Sequence, residues 1–160
     1  MTGLAAYPFT AFNFSVEIKV GGDDKPVLCG GSFSECDGLE MSQEVKTIRE
    51  GGNNGVQIRM AGPTTYGTLT LKRGMSSDFH LWDWFEAASV DTSMRANAEV
   101  VLYAANGTAE RARFVLTGCR PLKLKVPALN AKDGVVAVEE LQVAYQSLKL
   151  RTSPPGAANA

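Results

Sequence analysis

The chain has 160 residues, 16 of them basic and 17 acidic, for a formal net charge of -1. At that length folding removes roughly 70% of the surface an unfolded chain exposes, so one core can form without disulfide or metal staples. Hydrophobic residues make up 44% and charged residues 21%, which excludes a disordered chain, and the even charge balance excludes a protein built around a basic nucleic-acid stripe.

From the start, Met1 to Phe12 carries neither a basic region nor an apolar run, so it does not read as a signal peptide. No stretch approaches the roughly 20 apolar residues of a membrane-spanning helix. Synthesis and folding in the cytoplasm, with no direct membrane insertion, is the expectation. The first element is Phe12 to Val20, where Phe12, Phe14, Val16, Ile18 and Val20 alternate with Asn13, Ser15, Glu17 and Lys19. That period of two predicts a half-buried strand. Gly21-Gly22-Asp23-Asp24 ends it as a turn. A second strand is predicted from Val27 to Glu35, with Gly30-Gly31 marking a bulge or a close backbone approach.

Asp37-Gly38 turns the chain into a strand from Leu39 to Arg49. Leu39, Met41, Gln43, Val45 and Thr47 share one face; Glu40, Ser42, Glu44 and Lys46 share the other. Neither face is apolar enough to be well buried in an isolated monomer. The loop Glu50-Gly51-Gly52-Asn53-Asn54-Gly55 is made of residues that tolerate positive φ. Val56 to Met60 returns with Val56, Ile58 and Met60 on one face, so residues 39–60 read as a long hairpin. Gly62-Pro63 is expected to break the ladder before a strand from Tyr66 to Arg73, with Leu69 and Leu71 inward.

One helix is predicted, from Asp78 to Ala88. Ser76 or Ser77 would cap it, and Asp78 suits the positive end of its dipole. Phe79, Leu81, Trp82, Trp84, Phe85 and Ala88 form a wide apolar arc, and Phe79, Trp82 and Phe85 are expected to pack it on the core. Strands from Ala98 to Ala104 and Ala109 to Thr117 flank Asn106-Gly107, a strong hairpin signal. In the second of them Ala112, Phe114 and Leu116 point inward, and Arg111 and Arg113 outward. Pro121 and Pro127 are expected to interrupt the path beyond Cys119. The last strand is predicted from Val135 to Leu150, its apolar phase shifting between Tyr145 and Leu148. The sequence thus describes a mainly β fold: an antiparallel β-barrel or sandwich of about eight strands with one flanking helix and a long hairpin. Residues 1–152 are expected to form a single domain, and 153–160, with Pro154-Pro155-Gly156, a disordered tail.

Catalytic chemistry is hard to find. The chain has a single histidine, His80, placed inside the predicted helix, and no G-x-S-x-G nucleophile elbow. Cys29, Cys36 and Cys119 leave an odd thiol, and their spacing matches no zinc knuckle; they read as small buried hydrophobes. The glycines at 51–55 are followed by Val56-Gln57-Ile58 rather than by Lys-Ser at a helix start, so they form no phosphate loop. Glu139 and Glu140 are adjacent and point to opposite faces of a strand, which rules out a paired-carboxylate site. Asp23-Asp24 lacks a spaced calcium ligand set. Arg111 with Arg113, and Lys123 with Lys125, each put two charges on one strand face, as solvent-facing or subunit-facing sheet surfaces do. No catalytic residue, metal site or cofactor is expected.

The stretch from Gly38 to Glu86 resembles the tail tube proteins of contractile phage tails and related injection systems. The resemblance rests on Gly38-Leu39-Glu40-Met41, on Ile48-Arg49-Glu50-Gly51-Gly52-Asn53-Asn54, on the run from Gly62-Pro63 through Tyr66-Gly67 to Arg73-Gly74, and on Leu81-Trp82-Asp83-Trp84-Phe85. The opening strand, the run from Pro127 to Lys132 and the closing strand extend it over nearly the whole chain.

The resemblance implies a structural protein: a β-barrel with one flanking helix whose hexameric rings stack into a hollow tube inside a contractile sheath. The type VI secretion tube protein shares that plan. Partners would be sheath, baseplate or tube-initiator proteins, and cargo or DNA in the lumen without specific nucleic-acid binding. The particle would be a phage tail or a released injection machine, assembled in the cytoplasm. In such tubes the long hairpin bridges neighbouring subunits, which here implicates Met41, Gln43, Val45, Thr47, Arg49, Glu50, Gly51, Gly52, Asn53, Asn54, Gly55 and Gln57. An uncovered hairpin otherwise makes an aggregation hazard, which favours the same role. Extra glycines at Cys29-Gly30-Gly31 and an extended tail leave both a main tube subunit and a tube-initiating paralogue compatible. The alternative is a monomeric β-barrel holding a small ligand. It would need polar groups inside, whereas the inward positions are Phe, Val, Ile and Leu.

Overall fold

The computed structural model describes residues 13–21, 27–31, 33–49, 51–52, 55, 57–75, 77–105, 109–132 and 134–151. The elements in chain order are β1 (Phe14–Val20), β2 (Val27–Gly31), β3 (Glu35–Asp37), β4 (Met41–Arg49), β5 (Gln57–Tyr66), β6 (Thr68–Gly74), α1 (His80–Val90), β7 (Ala96–Tyr103), β8 (Glu110–Lys125), β9 (Val138–Ala144) and β10 (Ser147–Arg151). Eight strands form one antiparallel sheet in the order β2-β1-β7-β8-β9-β6-β3, with β10 also on β8, and β4 and β5 pair only with each other. Among the described residues the sheet order ends on β2 and β3, so the sheet bends over its core without closing into the barrel form.

Alternation explains the sheet. In β1, Val16 and Ile18 are fully buried while Ser15, Glu17 and Lys19 sit on the other face. Ala98, Val100, Ala112 and Leu116 continue the buried face across β7 and β8. Leu69 and Leu71 of β6 with Leu141 and Val143 of β9 supply the other half of the same cluster. On the outer face Arg113 forms paired hydrogen bonds to Glu110, at 2.9 Å each, and an ion pair to Glu99. The Arg113 hydrogen bond holds the Glu110 carboxyl below its ordinary range.

The two halves meet along β8. Residues 113–117 pair with β10 and residues 120–125 with β9. The change of partner falls at Gly118, whose φ is +64°; a Cβ there would lie 2.5 Å from the Gln146 side chain. This corner divides the expected strand at 135–150 into β9 and β10, because the chain leaves the ladder at Tyr145 and Gln146. Pro121 does not interrupt β8: the register shifts between Pro121 and Lys123, and a bulge accommodates a residue without an N–H. The expected strand at 27–35 likewise divides, β2 pairing with β1 and β3 with β6.

Helix α1 packs on β8 and β2. Leu81, Trp84 and Ala88 face the core. The expectation for Phe79, Trp82 and Phe85 is corrected in part: Phe79 precedes the helix and is 54% exposed, and Trp82 and Phe85 are half-buried flanks. The apolar arc is wider than one contact face, and spacing i, i+3, i+7 from Leu81 selects the buried line. Ser77 does not cap the helix: Phe79 holds the N-cap position and makes no side-chain cap hydrogen bond, and Ser76 lies outside the described residues. Asp78 Oδ1 accepts the His80 N–H at 3.0 Å, and Arg120 donates to the carbonyls of Ala88 and Thr92 at 2.9 and 2.7 Å. Buried Arg73 donates to buried Glu139 and to the Asp78 carbonyl at 3.1 Å, joining β6, β9 and the helix start.

Candidate functional site

The hairpin β4–β5 is the part of the fold that the core does not explain. All nine residues of β4 are exposed, and so are most of β5. Met41 is 63% and Val45 60% exposed, proportions unusual for large apolar side chains in a strand that is paired along its length. The strand β5 continues through Gly62-Pro63 to Tyr66, where a break was expected. A register shift opposite Gln43–Val45 makes the two residues a bulge, a position where the missing proline N–H disrupts no ladder bond. A Cβ on Gly62 would lie 2.8 Å from the Glu44 carbonyl, so the bulge depends on glycine.

Register sets the faces. Val45 opposes Ala61, Thr47 opposes Arg59 and Arg49 opposes Gln57 on one side. On the other side Lys46 opposes Met60 and Ile48 opposes Ile58. The structure therefore places Met41, Gln43, Val45, Thr47, Arg49 and Gln57 on the exposed ribbon, with Gly51, Gly52 and Gly55 in its turn. Glu50, Asn53 and Asn54 lie outside the described residues. The residues not anticipated are Ile48, Ile58 and Met60, which gather as an uncovered apolar patch. The alternation of Ile58 with Met60 was legible; Ile48 joins them only once the register is known.

The base of the ribbon is clamped from far along the chain. Tyr145, 105 residues from Glu40, accepts the Glu40 N–H at 3.1 Å, and its hydroxyl proton serves the Gly38 carbonyl at 2.7 Å or the Glu40 carbonyl at 3.0 Å. Its ring lies against Tyr66, with centroids 5.6 Å apart. Across the base the Gly67 N–H donates to the Glu40 carbonyl at 3.1 Å. Gly38 has φ +94°, and a Cβ there would fall 1.8 Å from the Thr68 carbonyl oxygen. No other residue fits that position.

The groups with chemical potential are held in structural roles. Burial pushes the Cys119 thiol up to about 12, and burial with the neighbouring Asp37 pushes Cys36 up to about 11, so neither is a thiolate near neutral pH. Exposed His80 is paired with Asp78 at 2.9 Å. Among the described residues no group of three or more His, Cys, Asp or Glu is placed to hold a metal, and no helix is long and apolar enough to cross a membrane.

A family model described as T4-like virus tail tube protein gp19 matches residues 10–149. The chain belongs to this tail tube family. No curated protein sequence matches it. A chain in the cryo-EM structure of the anti-feeding prophage baseplate has a TM-score of 0.79 and 22% identity, over 92% of this tail tube chain and 97% of that one. A chain in the sheath–tube complex of an extracellular contractile injection system, PVC, in its extended state has a TM-score of 0.75 and 21% identity, over 93% and 95%. Hcp1 from Flavobacterium johnsoniae reaches 0.50 with 12% identity, over 86% and 95%. At these identities the likeness is one of fold, and it extends over nearly the full length of each chain.

Proposed function

We propose that this tail tube chain is a non-enzymatic structural subunit whose hexameric rings stack into a hollow tube within a contractile sheath. The observation that carries this reading is the β4–β5 ribbon: a clamped, paired hairpin with apolar side chains on both faces and no cover among the described residues. In a tail tube protein such a ribbon is an assembly element, and neighbouring copies supply the missing cover. The fold neighbours support sheath and baseplate proteins as partners, since they were solved in a sheath–tube complex and a baseplate. Cargo or DNA would occupy the lumen, inside a phage tail or a particle assembled in the cytoplasm. A ligand-binding barrel is disfavoured by an interior filled with Ile18, Leu69, Leu71, Leu116 and Leu141, each at most 1% exposed.

Negative-stain electron microscopy of the purified chain, with its mass in solution, tests the proposal. Six-membered rings or hollow tubes are expected. A chain that stays monomeric at high concentration, and also when mixed with its sheath and baseplate proteins, refutes it.

A further inference from the structure

A second uncovered apolar surface lies at the end of β6 opposite the ribbon base. Strand β6 enters the sheet at Thr68, beside the ribbon base, and leaves at Gly74, while β9 runs the opposite way from Val138 to Ala144. Seven strand residues put these ends roughly 20 Å apart. At the Gly74 end sits the segment 126–137, which links β8 to β9 without regular secondary structure in its described residues. It is tethered where the Met75 N–H donates to the Ala137 carbonyl at 2.8 Å. Leu129 is 81%, Val135 80% and Val136 74% exposed. With Pro127, Ala128 and Ala131 they line an open depression.

The molecule thus has an apolar projection beside one end of β6 and an apolar depression at the other. Because the two surfaces differ, contact between them is heterologous: it leaves a free projection and a free depression on each pair, so it propagates. We propose that the Ile48, Ile58 and Met60 face of one copy docks on the depression lined by Leu129, Val135 and Val136 of the next copy. The inference rests on the tube reading and identifies the receiving surface. The occupant is a second copy of this chain because the chain itself carries a projecting ribbon of matching character, and because a tail tube protein repeats its own contacts.

Two exposed-site variants test it, Ile58→Glu on the ribbon and Val136→Glu on the depression. Both should melt like the parent chain, since neither side chain contributes to the core. Each alone should raise the concentration needed for assembly by at least about tenfold, as loss of one anchoring contact does. Mixed in equal amounts, they should associate into short species of limited size in sedimentation velocity. The ribbon of the Val136→Glu chain and the depression of the Ile58→Glu chain remain intact, and the other ends are blocked. Val136→Glu growing at the parental rate, or a mixture no larger than its components, overturns the docking and leaves the tube reading standing. A parent chain that never assembles overturns both.

Discussion

Removal of one hydroxyl group, in Tyr145→Phe, isolates what holds the ribbon in place. A hydroxyl has one proton, so Tyr145 donates to either Gly38 or Glu40 at a given moment while accepting the Glu40 N–H. Two hydrogen bonds are therefore lost, at about 0.5–1.5 kcal/mol each, and the total is about 2 kcal/mol. The ring remains against Tyr66, so packing is nearly unchanged. For a chain of this length 1 kcal/mol moves Tm by about 2–4 °C, which gives a fall of about 4–8 °C. Thermal melting by circular dichroism on the dispersed subunit measures that fall. Hydrogen exchange adds the local reading: the Glu40 amide loses the Tyr145 oxygen and keeps the Gly38 carbonyl at 3.0 Å, so it should exchange about fivefold faster, the equivalent of about 1 kcal/mol. An unchanged Tm together with unchanged Glu40 protection would refute the clamp.

Deleting Gly51–Gly55 should leave the monomer folded and abolish tube growth; tubes of normal length from the deleted chain would remove the ribbon turn from the assembly contact. At Trp84 the buried indole N–H has no hydrogen-bond partner among the described residues. Trp84→Phe should cost only about 1–2 kcal/mol in urea unfolding, because part of the packing loss is offset by removing an unpaired polar group. Trp84→Ala should cost about 3–5 kcal/mol, and equal costs for the two would contradict that offset. At Cys119 the folded thiol is raised from 9.0 to about 12. A raised folded value means that its contribution is complete below pH 9.0 and is lost as pH climbs toward about 12. The parent should lose stability over that window more steeply than Cys119→Ala, by up to about 1.4 kcal/mol per pH unit. Parallel pH profiles would show that the thiol does not titrate with folding.

The sequence made legible those features that depend on neighbours in the chain. Val16 and Ile18 alternate with polar residues, and the strand and its inward face follow. The ribbon was legible as a poorly buried hairpin because neither face of 39–49 carries enough apolar surface. Features set by distant partners were not legible. Pro121 and Pro63 read as breaks, yet both lie at bulges whose partners are strands elsewhere in the fold. The six apolar positions of the helix gave no way to choose Leu81 and Trp84 over Phe79, because that choice belongs to the surface of β8 and β2. The patch of Ile48, Ile58 and Met60 needed the hairpin register, in which Ile48 meets Ile58 and Lys46 meets Met60. Nothing near Glu40 points to Tyr145.

The corner at Gly118 has a mechanical consequence. Strand β8 runs for 16 residues, roughly 50 Å, and is flanked by β7 and β10 in its first half and by β9 in its second. A force along such a strand loads many ladder hydrogen bonds in shear at once, where an edge strand would peel away one bond at a time. Both halves of the sheet hang on the same continuous backbone. A thrust received by one half is thus delivered to the other through covalent bonds, without relying on contacts between separate layers.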